Sequence, residues 1–157
     1  MARHAQTPQR GFTLVELVVT IAMLAILAAL ATPSFQRMIE AQRLRTGAFA
    51  LISDLTLARS EAVKRGEPVE LMPVDGNWAG GWLVRVAATS ETISSQSQIG
   101  SGITLASAAS SVRFNRNGQV DTVSSVRIAL SDTHDGRRCI SLDPSGRPKS
   151  TKSECPA

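Results

Sequence analysis

The chain has 157 residues, 43% of them hydrophobic, and a formal net charge of +4 at neutral pH. That length is typical of one domain and allows one small hydrophobic core. Aromatic residues make up only 4% and tyrosine is absent, which argues against a broad platform for stacking single-stranded bases.

The first distinctive segment is an uncharged apolar run from Leu17 to Phe35, which follows a short basic leader at residues 1–11. A run of roughly 20 such residues is long enough to span a bilayer as a helix. A secretory signal peptide carries its small cleavage-site residues after the apolar core. Here the small residue, Gly11, precedes the core, so cleavage after Gly11 would leave the apolar helix on the mature protein.

Residues 11–16, Gly-Phe-Thr-Leu-Val-Glu, resemble the signal of type IV prepilins. The resemblance implies cleavage after Gly11 by a membrane-bound prepilin peptidase and N-methylation of the new amino terminus at Phe12. It also implies that the apolar helices assemble into a filament core, and it places Pro33 where pilin helices bend. A plain single-pass membrane protein with a short cytoplasmic tail is the alternative.

One acid, Glu16, stands beside the apolar run and needs a physical reason. An unpaired charge in hydrocarbon costs roughly 2.5–3.5 kcal/mol even on insertion scales. The resemblance implies that Glu16 pairs with the methylated amino terminus of a neighbouring subunit and fixes axial register during assembly. Alternatively, the carboxylate lies in the lipid headgroup layer.

The apolar run continues into an amphipathic pattern at residues 36–66, with apolar residues at three- and four-residue spacing. We predict one helix from near Phe12 to near Arg65, in which residues 12–35 form the transmembrane or filament-core segment. Pro33 is expected to bend or locally melt this helix, because proline cannot donate the helical hydrogen bond. The residues predicted to face a core are Leu44, Ala48, Leu51, Leu55, Ala58 and Ala62.

Residues 67–157 carry the pattern of short β-strands and are predicted to form a β-rich head. The Asn-Gly pair at 117–118 is a strong hairpin signal. Residues 88–111, rich in Ser, Ala, Thr and Gly, are expected to be a long loop or weak strands. Trp78 and Trp82 are expected to cover the core, with a ligand contact as the alternative. The predicted strands are residues 69–72, 82–86, 112–114, 126–130 and 139–142.

A long helix followed by short strands indicates an α+β fold, in which the helix packs on a small antiparallel β-sheet head. Several motifs then resemble the minor pilin and pseudopilin family of the FimT/FimU and GspH type, in which this helix is the pilin helix. The motifs are Leu-Ala-Arg-Ser-Glu-Ala at 57–62 with Arg-Gly at 65–66, Trp-Ala-Gly-Gly-Trp at 78–82, Phe-Asn-Arg-Asn-Gly at 114–118 and Ser-Gly-Arg at 145–147. Without the resemblance, Arg59 and Glu61 of the first motif are interpreted as solvated or locally paired helix residues.

The sequence contains no catalytic constellation: no serine-hydrolase elbow, no phosphate-cradling loop and no metal-spaced histidine cluster. Neither enzyme activity nor a cofactor is predicted. Asp132, Asp135 and Asp143 are interpreted as turn and loop acids, because the spacing of a calcium-binding EF-hand is missing.

The two cysteines, Cys139 and Cys155, lie near the C-terminus. An even count in an exported segment predicts one disulfide, and a loop of about 15 residues corresponds to roughly 3 kcal/mol of stabilisation. Two cysteines alone make no structural zinc site. A reactive thiol assisted by His134 is the remaining alternative.

Basic residues cluster on a turn-rich C-terminal tail, which the disulfide would bring back to the strand bearing Cys139. Such a cluster neutralises several phosphates and gives salt-sensitive, sequence-independent DNA binding. FimT-type pilins bind DNA during natural transformation through a Gly-Arg-x-Arg motif, which the resemblance places at residues 146–149, with lysine in the last position. Asp143 and Glu154 dilute the charge, so a charge-balanced solvated tail is the alternative. The candidate DNA-binding residues are Arg137, Arg138, Arg147, Lys149 and Lys152.

The resemblance therefore implies a minor pilin of a type IV pilus. Such a protein is inserted once in the bacterial inner membrane, with its head in the periplasm, and then enters a filament at the cell surface. The expected partners are other pilins, prepilin peptidase, the inner membrane and double-stranded DNA. The alternatives are a GspH-like minor pseudopilin of a type II secretion system and a purely structural minor pilin that binds no DNA.

Replacing Gly11, for example by Gly11→Val, is expected to block removal of the leader, because the prepilin signal is cut after this glycine. Mass spectrometry of the purified chain should find the leader on the variant and not on the wild type. A variant with an unchanged mature mass would refute the prepilin interpretation.

Overall fold

The computed structural model describes residues 11–107, 109–121 and 127–156, without the side chain of Pro33. Residues 1–10 of the predicted leader and Val126 of the predicted strand 126–130 lie outside the described residues. The chain divides into two compact units, one ending at Gln36 and the other spanning Arg37–Ala157. Each unit is described by itself.

The predicted long helix is confirmed as α1, Leu14–Arg65. Its first turn is capped by Thr13, whose Oγ1 accepts a hydrogen bond from the Glu16 backbone N–H at 3.3 Å. The helix ends where Gly66 takes a positive φ of 67°, a conformation that glycine adopts at little cost. The helix is unbroken at Pro33, so the expected local melting is wrong, whereas a bend at Pro33 stays a prediction. Proline removes one bond from the ladder, and the bonds on either side maintain the helix.

In the first unit, the described side chains of α1 from Leu14 to Phe35 are all exposed. By length and composition alone, α1 is long and apolar enough to cross a membrane.

In the second unit, the strands of the described residues are β1 (Val69–Val74), β2 (Asn77–Val86), β3 (Thr92–Ser97), β4 (Ile103–Ser107), β5 (Val112–Phe114), β6 (Arg127–Asp132), β7 (Arg137–Leu142) and β8 (Pro148–Thr151). They form two antiparallel sheets of four strands each, in the orders β3-β2-β1-β5 and β4-β6-β7-β8. The predicted α+β fold is confirmed, although the head has two sheets rather than one. Residues 88–111 contain two strands, β3 and β4, and the predicted turn-rich tail contains β8.

One hydrophobic core joins the amphipathic half of α1 to both sheets. All six helix residues predicted to face a core are buried in it. Trp82 is fully buried, and its indole N–H donates to Asp54 Oδ2 at 2.8 Å. The indole N–H of Trp78 donates to the Ala109 carbonyl at 3.0 Å. Both tryptophans therefore cover the core, as predicted, and each indole N–H has the partner that a buried ring requires.

Three of the sequence motifs meet at Arg59, Gly118 and Gly146. Arg59 Nε donates to the Gly118 carbonyl at 3.0 Å, so the expectation of a solvated or locally paired Arg59 is wrong. Gly146 has a φ of 78°, and a methyl group on it would lie 2.3 Å from the Gly118 carbonyl oxygen. Glu61, by contrast, is locally paired with Arg65 at 2.7 Å, as expected. The contact of Gly118 with Arg59 on one side and Gly146 on the other fixes the β7–β8 turn against the helix.

The β6–β7 turn is held to α1 by a second polar contact. Glu40 Oε2 lies 2.7 Å from His134 Nδ1 and accepts a hydrogen bond from the Thr133 hydroxyl. The Thr133 hydroxyl and then the His134 ring lower the pKa of Glu40 from its ordinary value. His134 therefore contacts the helix and not a cysteine.

The predicted disulfide is confirmed: Cys139 of β7 is bonded to Cys155. The four residues of β8 pair in order with β7, from Leu142↔Pro148 to Cys139↔Thr151. The disulfide closes the segment directly after β8, so the C-terminal segment is held to the sheet by both backbone hydrogen bonds and a covalent link. The thiol alternative is thereby excluded.

Gly146→Ala is expected to lower the free energy of unfolding of the Arg37–Ala157 fragment by about 2–4 kcal/mol, because strain at a positive φ adds to the clash with Gly118. Gly76→Ala is the matched control, since Gly76 has a φ of 73° but open space around it. The control should cost only about 1 kcal/mol. Urea unfolding measures both, and equal losses would contradict the proposed close packing.

Replacing both cysteines, by Cys139→Ala and Cys155→Ala, is expected to lower the free energy of unfolding of the same fragment by about 3 kcal/mol, the value for a loop of this length. Urea unfolding with and without dithiothreitol tests it. The reductant should destabilise the wild type by a similar amount and leave the double variant unchanged. A double variant as stable as the oxidised wild type would contradict the expectation.

Candidate processing site and nucleic-acid interface

The predicted processing site lies just before α1. Gly11 and Phe12 are exposed, with 84% of Phe12 accessible to solvent, and neither belongs to the helix that begins at Leu14. The peptide bond between them is therefore in non-helical, accessible backbone, which is the state that a protease requires. Cleavage and methylation at this bond stay predictions.

Glu16 lies in the first turn of α1. Thr13 and Glu16 have the Thr-x-x-Glu spacing of a capping box, of which the bond from the Glu16 N–H to the Thr13 hydroxyl is one half. A carboxylate is also favoured near the positive end of the helix dipole. Glu16 thus has a local structural role that the sequence interpretation missed, although the Thr-x-x-Glu spacing signals it. Its pairing with a neighbouring subunit stays a prediction.

The candidate DNA-binding tail begins in the β7–β8 turn, which Asp143 organises. Asp143 Oδ1 accepts hydrogen bonds from the Arg147 backbone N–H at 3.0 Å and from the Ser145 hydroxyl at 2.6 Å. The Ser145 hydroxyl, followed by the Arg147 N–H, lowers the pKa of the Asp143 carboxyl. Asp143 is therefore a turn acid, as interpreted, and it fixes the backbone that carries Arg147.

Three candidate cations follow one another along this hairpin arm. Arg147 is in the turn, Lys149 is in β8 and Lys152 directly follows β8, and all three side chains are exposed. Arg138 is half-buried in β7. It directly precedes Cys139, which pairs with Thr151, and Lys152 directly follows Thr151, so Arg138 and Lys152 lie near each other in the antiparallel hairpin. Within the described residues, none of these four cations has an acid within ion-pair distance.

The fifth candidate, Arg137, differs from the others. Its guanidinium is paired with Glu154 and lies 3.8 Å from Asp135. Because two acids already compensate its charge, Arg137 contributes least to the positive potential of the tail.

A further cation, Arg127 of β6, lies beside the tail and was missed from the sequence. Arg127 pairs with Ser141 and Ser141 pairs with Lys149, so the three form one row across β6, β7 and β8. A surface groove of about 430 Å³ is lined by this row together with Asp143, Thr151 and Pro156. The alternation of the predicted strand 126–130 places Arg127 on the face opposite Ile128, but only the strand register places it near Lys149.

Two family models match the chain. Residues 48–146, more than half of the chain, match the family described as "Type II transport protein GspH". Residues 7–32 match the "Prokaryotic N-terminal methylation motif". The two matches together cover most of the apolar segment and most of the head.

Two crystal structures of the type IV minor pilin FimU from Pseudomonas aeruginosa, in different crystal forms, share the fold. One is 22% identical in sequence with a TM-score of 0.63, and the alignment covers 74% of this chain and 98% of that chain. The other is also 22% identical with a TM-score of 0.57, covering 68% and 91% respectively. At this identity the likeness establishes the fold alone. The GspH family match and the methylation motif, together with this shared fold, show that the chain belongs to the FimT/FimU/GspH-like family of minor pilins and pseudopilins.

Proposed function

We propose that the chain is a minor pilin of a type IV pilus that is cleaved after Gly11, methylated at Phe12 and anchored in the inner membrane by residues 12–35, with its head in the periplasm. The methylation motif and the exposed apolar half of α1 support this proposal. Apolar side chains that none of the described residues covers require lipid or other pilin helices around them. Glu16 then pairs with the amino terminus of a neighbouring subunit during assembly.

The head of this pilin binds double-stranded DNA through Arg138, Arg147, Lys149 and Lys152, which we call the basic tail surface. The observation that carries this proposal is that these four cations share one hairpin and have no acidic partner among the described residues. Held on β7, β8 and their turn, the side chains contact phosphates without first ordering a mobile segment, which lowers the entropic cost of binding.

The electrostatics predict a particular kind of binding. Phosphate contacts carry no sequence information, so they position the duplex and do not select a site. Each neutralised phosphate releases counterions, and the logarithm of the binding constant falls by about 0.9 per tenfold increase in salt for each contact. Such sequence-independent binding suits a protein that takes up DNA of any sequence during natural transformation.

A minor pseudopilin of a type II secretion system is the second candidate, and the description of the matching family, "Type II transport protein GspH", favours it. In that role the head contacts other pseudopilins and needs no DNA. A deletion strain distinguishes the two: loss of transformation supports the pilus, whereas loss of secreted proteins supports the secretion system.

The double variant Arg147→Gln, Lys149→Gln is expected to bind a 30-base-pair duplex more weakly than the wild type and to lower its salt slope by about 2, because two phosphate contacts are lost. Gel shifts or fluorescence anisotropy of the full chain in non-ionic detergent, at several salt concentrations, measure both quantities.

Two controls sharpen this experiment. Arg37→Gln with Arg45→Gln removes the same charge from exposed positions on α1 and should leave the salt slope unchanged. Arg137→Gln should weaken binding less than Arg147→Gln, because its charge is already paired. If the wild type shows no salt-dependent binding, or the tail double variant binds as the wild type does, DNA binding through this surface is refuted.

A further inference from the structure

We infer that the groove above β6, β7 and β8 is a binding site for a DNA backbone phosphate, in which Arg127 acts together with Lys149. The inference rests on the proposed DNA binding, and it adds to the basic tail surface a residue that lies outside the tail.

The strand register brings the two cations to one point. Arg127, Ser141 and Lys149 are consecutive partners in antiparallel pairs, and directly opposed residues project from the same face of a sheet. Neighbouring strands are about 4.8 Å apart, so the Cα atoms of Arg127 and Lys149 are about 10 Å apart across Ser141. Both long side chains therefore reach the space above the Ser141 hydroxyl.

The burial pattern identifies this face as the outer one. Ile128, Ile140 and Leu142 are buried in the core, and they alternate with the residues of the row. On the outer side the groove is bounded by Cys139, Thr151 and Pro156. The disulfide thus brings the end of the chain beside β7, so the cations lie in a concave site rather than on a flat sheet.

The charges in the groove favour an anion. Within the described residues, neither Arg127 nor Lys149 has an acid at ion-pair distance. The one acid that lines the groove, Asp143, is kept ionised by hydrogen bonds from Ser145 and from the Arg147 backbone. Its single negative charge is exceeded by the two positive charges of Arg127 and Lys149. A hydroxyl donor between two cations is suited to an oxyanion with several acceptor oxygens.

Arg127 also supplies, beside Lys149, the guanidinium that a lysine lacks. Lys149 is a point charge, whereas a guanidinium binds phosphate through two parallel hydrogen bonds. The sequence has lysine at the last position of its Gly-Arg-x-Lys motif, and the sheet places a guanidinium from β6 beside that lysine. The duplex is favoured over a free phosphate because Arg147 precedes Lys149 by two residues, the spacing that places side chains on one face of an extended chain, and so lengthens the positive surface beyond the groove.

The test is fluorescence anisotropy with a 30-base-pair duplex and the full chain in non-ionic detergent. Arg127→Gln is expected to weaken binding about eightfold at 0.1 M salt and to lower the salt slope by about 1, as expected for one lost phosphate contact. Arg127→Lys should bind more weakly but retain most of the salt slope, because the charge remains while the two parallel hydrogen bonds of the guanidinium are lost. Arg45→Gln is the matched control and should bind as the wild type does.

The outcomes separate this inference from the proposed function. If Arg147→Gln with Lys149→Gln weakens binding while Arg127→Gln behaves as Arg45→Gln does, the tail binds DNA and the role of Arg127 is overturned. If the wild type binds no duplex, the proposed function fails, and the inference fails with it. If inorganic phosphate at a few millimolar displaces the duplex from the wild type and not from Arg127→Gln, the groove holds free phosphate, and the duplex assignment is overturned. Circular dichroism of each variant, with Arg127→Lys as the fold-preserving substitution, excludes unfolding as the cause.

Discussion

The structure of the head depends on the burial of one narrow face of α1. Leu51 and Leu55 fill the core, whereas Ala58 and Ala62, also fully buried, carry almost no side chain. Small residues on that part of the helix let loops from the sheets come close to its backbone. The Arg59 side chain, next to Ala58 in the chain, then donates a hydrogen bond to the Gly118 carbonyl of one such loop. The close contact of Gly118 with Gly146 follows from this approach. The helix therefore determines where the β7–β8 turn lies, and with it the position of Arg147.

The second sheet turns a polar C-terminal segment into a defined surface. The segment Pro148–Thr151 has no apolar face of its own, and its side chains are exposed or half-exposed. It is a strand because β7 offers a free edge and because the Cys139–Cys155 disulfide keeps the end of the chain near that edge. Lysine on such an edge also discourages pairing with further strands. The same residues thus protect the sheet edge and present positive charge.

The sequence predicted features that are local in the chain. The helical face from Leu44 to Ala62 followed from periodicity, and the turn at Asn117–Gly118 followed from residue type, with Gly118 taking a φ of 73°. The strands β3 and β4 were not assigned individually. The side chains of the Ser- and Thr-rich β3 are exposed or half-exposed and carry weak alternation, and the buried face of β4 has only two large apolar residues, Ile103 and Leu105. The contact of Arg59 with Gly118 and the row of Arg127 with Lys149 join residues far apart in sequence, and they require the tertiary structure and the strand register.

The distribution of ion pairs is the strongest physical reason to expect an anionic partner for the second sheet. On the first sheet, Arg85 pairs with Glu70 at 2.7 Å and Arg113 lies 3.7 Å from Asp121. On the second sheet, the described acids are at ion-pair distance only from Arg137, and Arg127 and Lys149 line the same groove on either side of Ser141. Like charges without a paired acid repel one another, so this arrangement brings no benefit to folding. A bound polyanion would remove this repulsion and recover its cost as affinity.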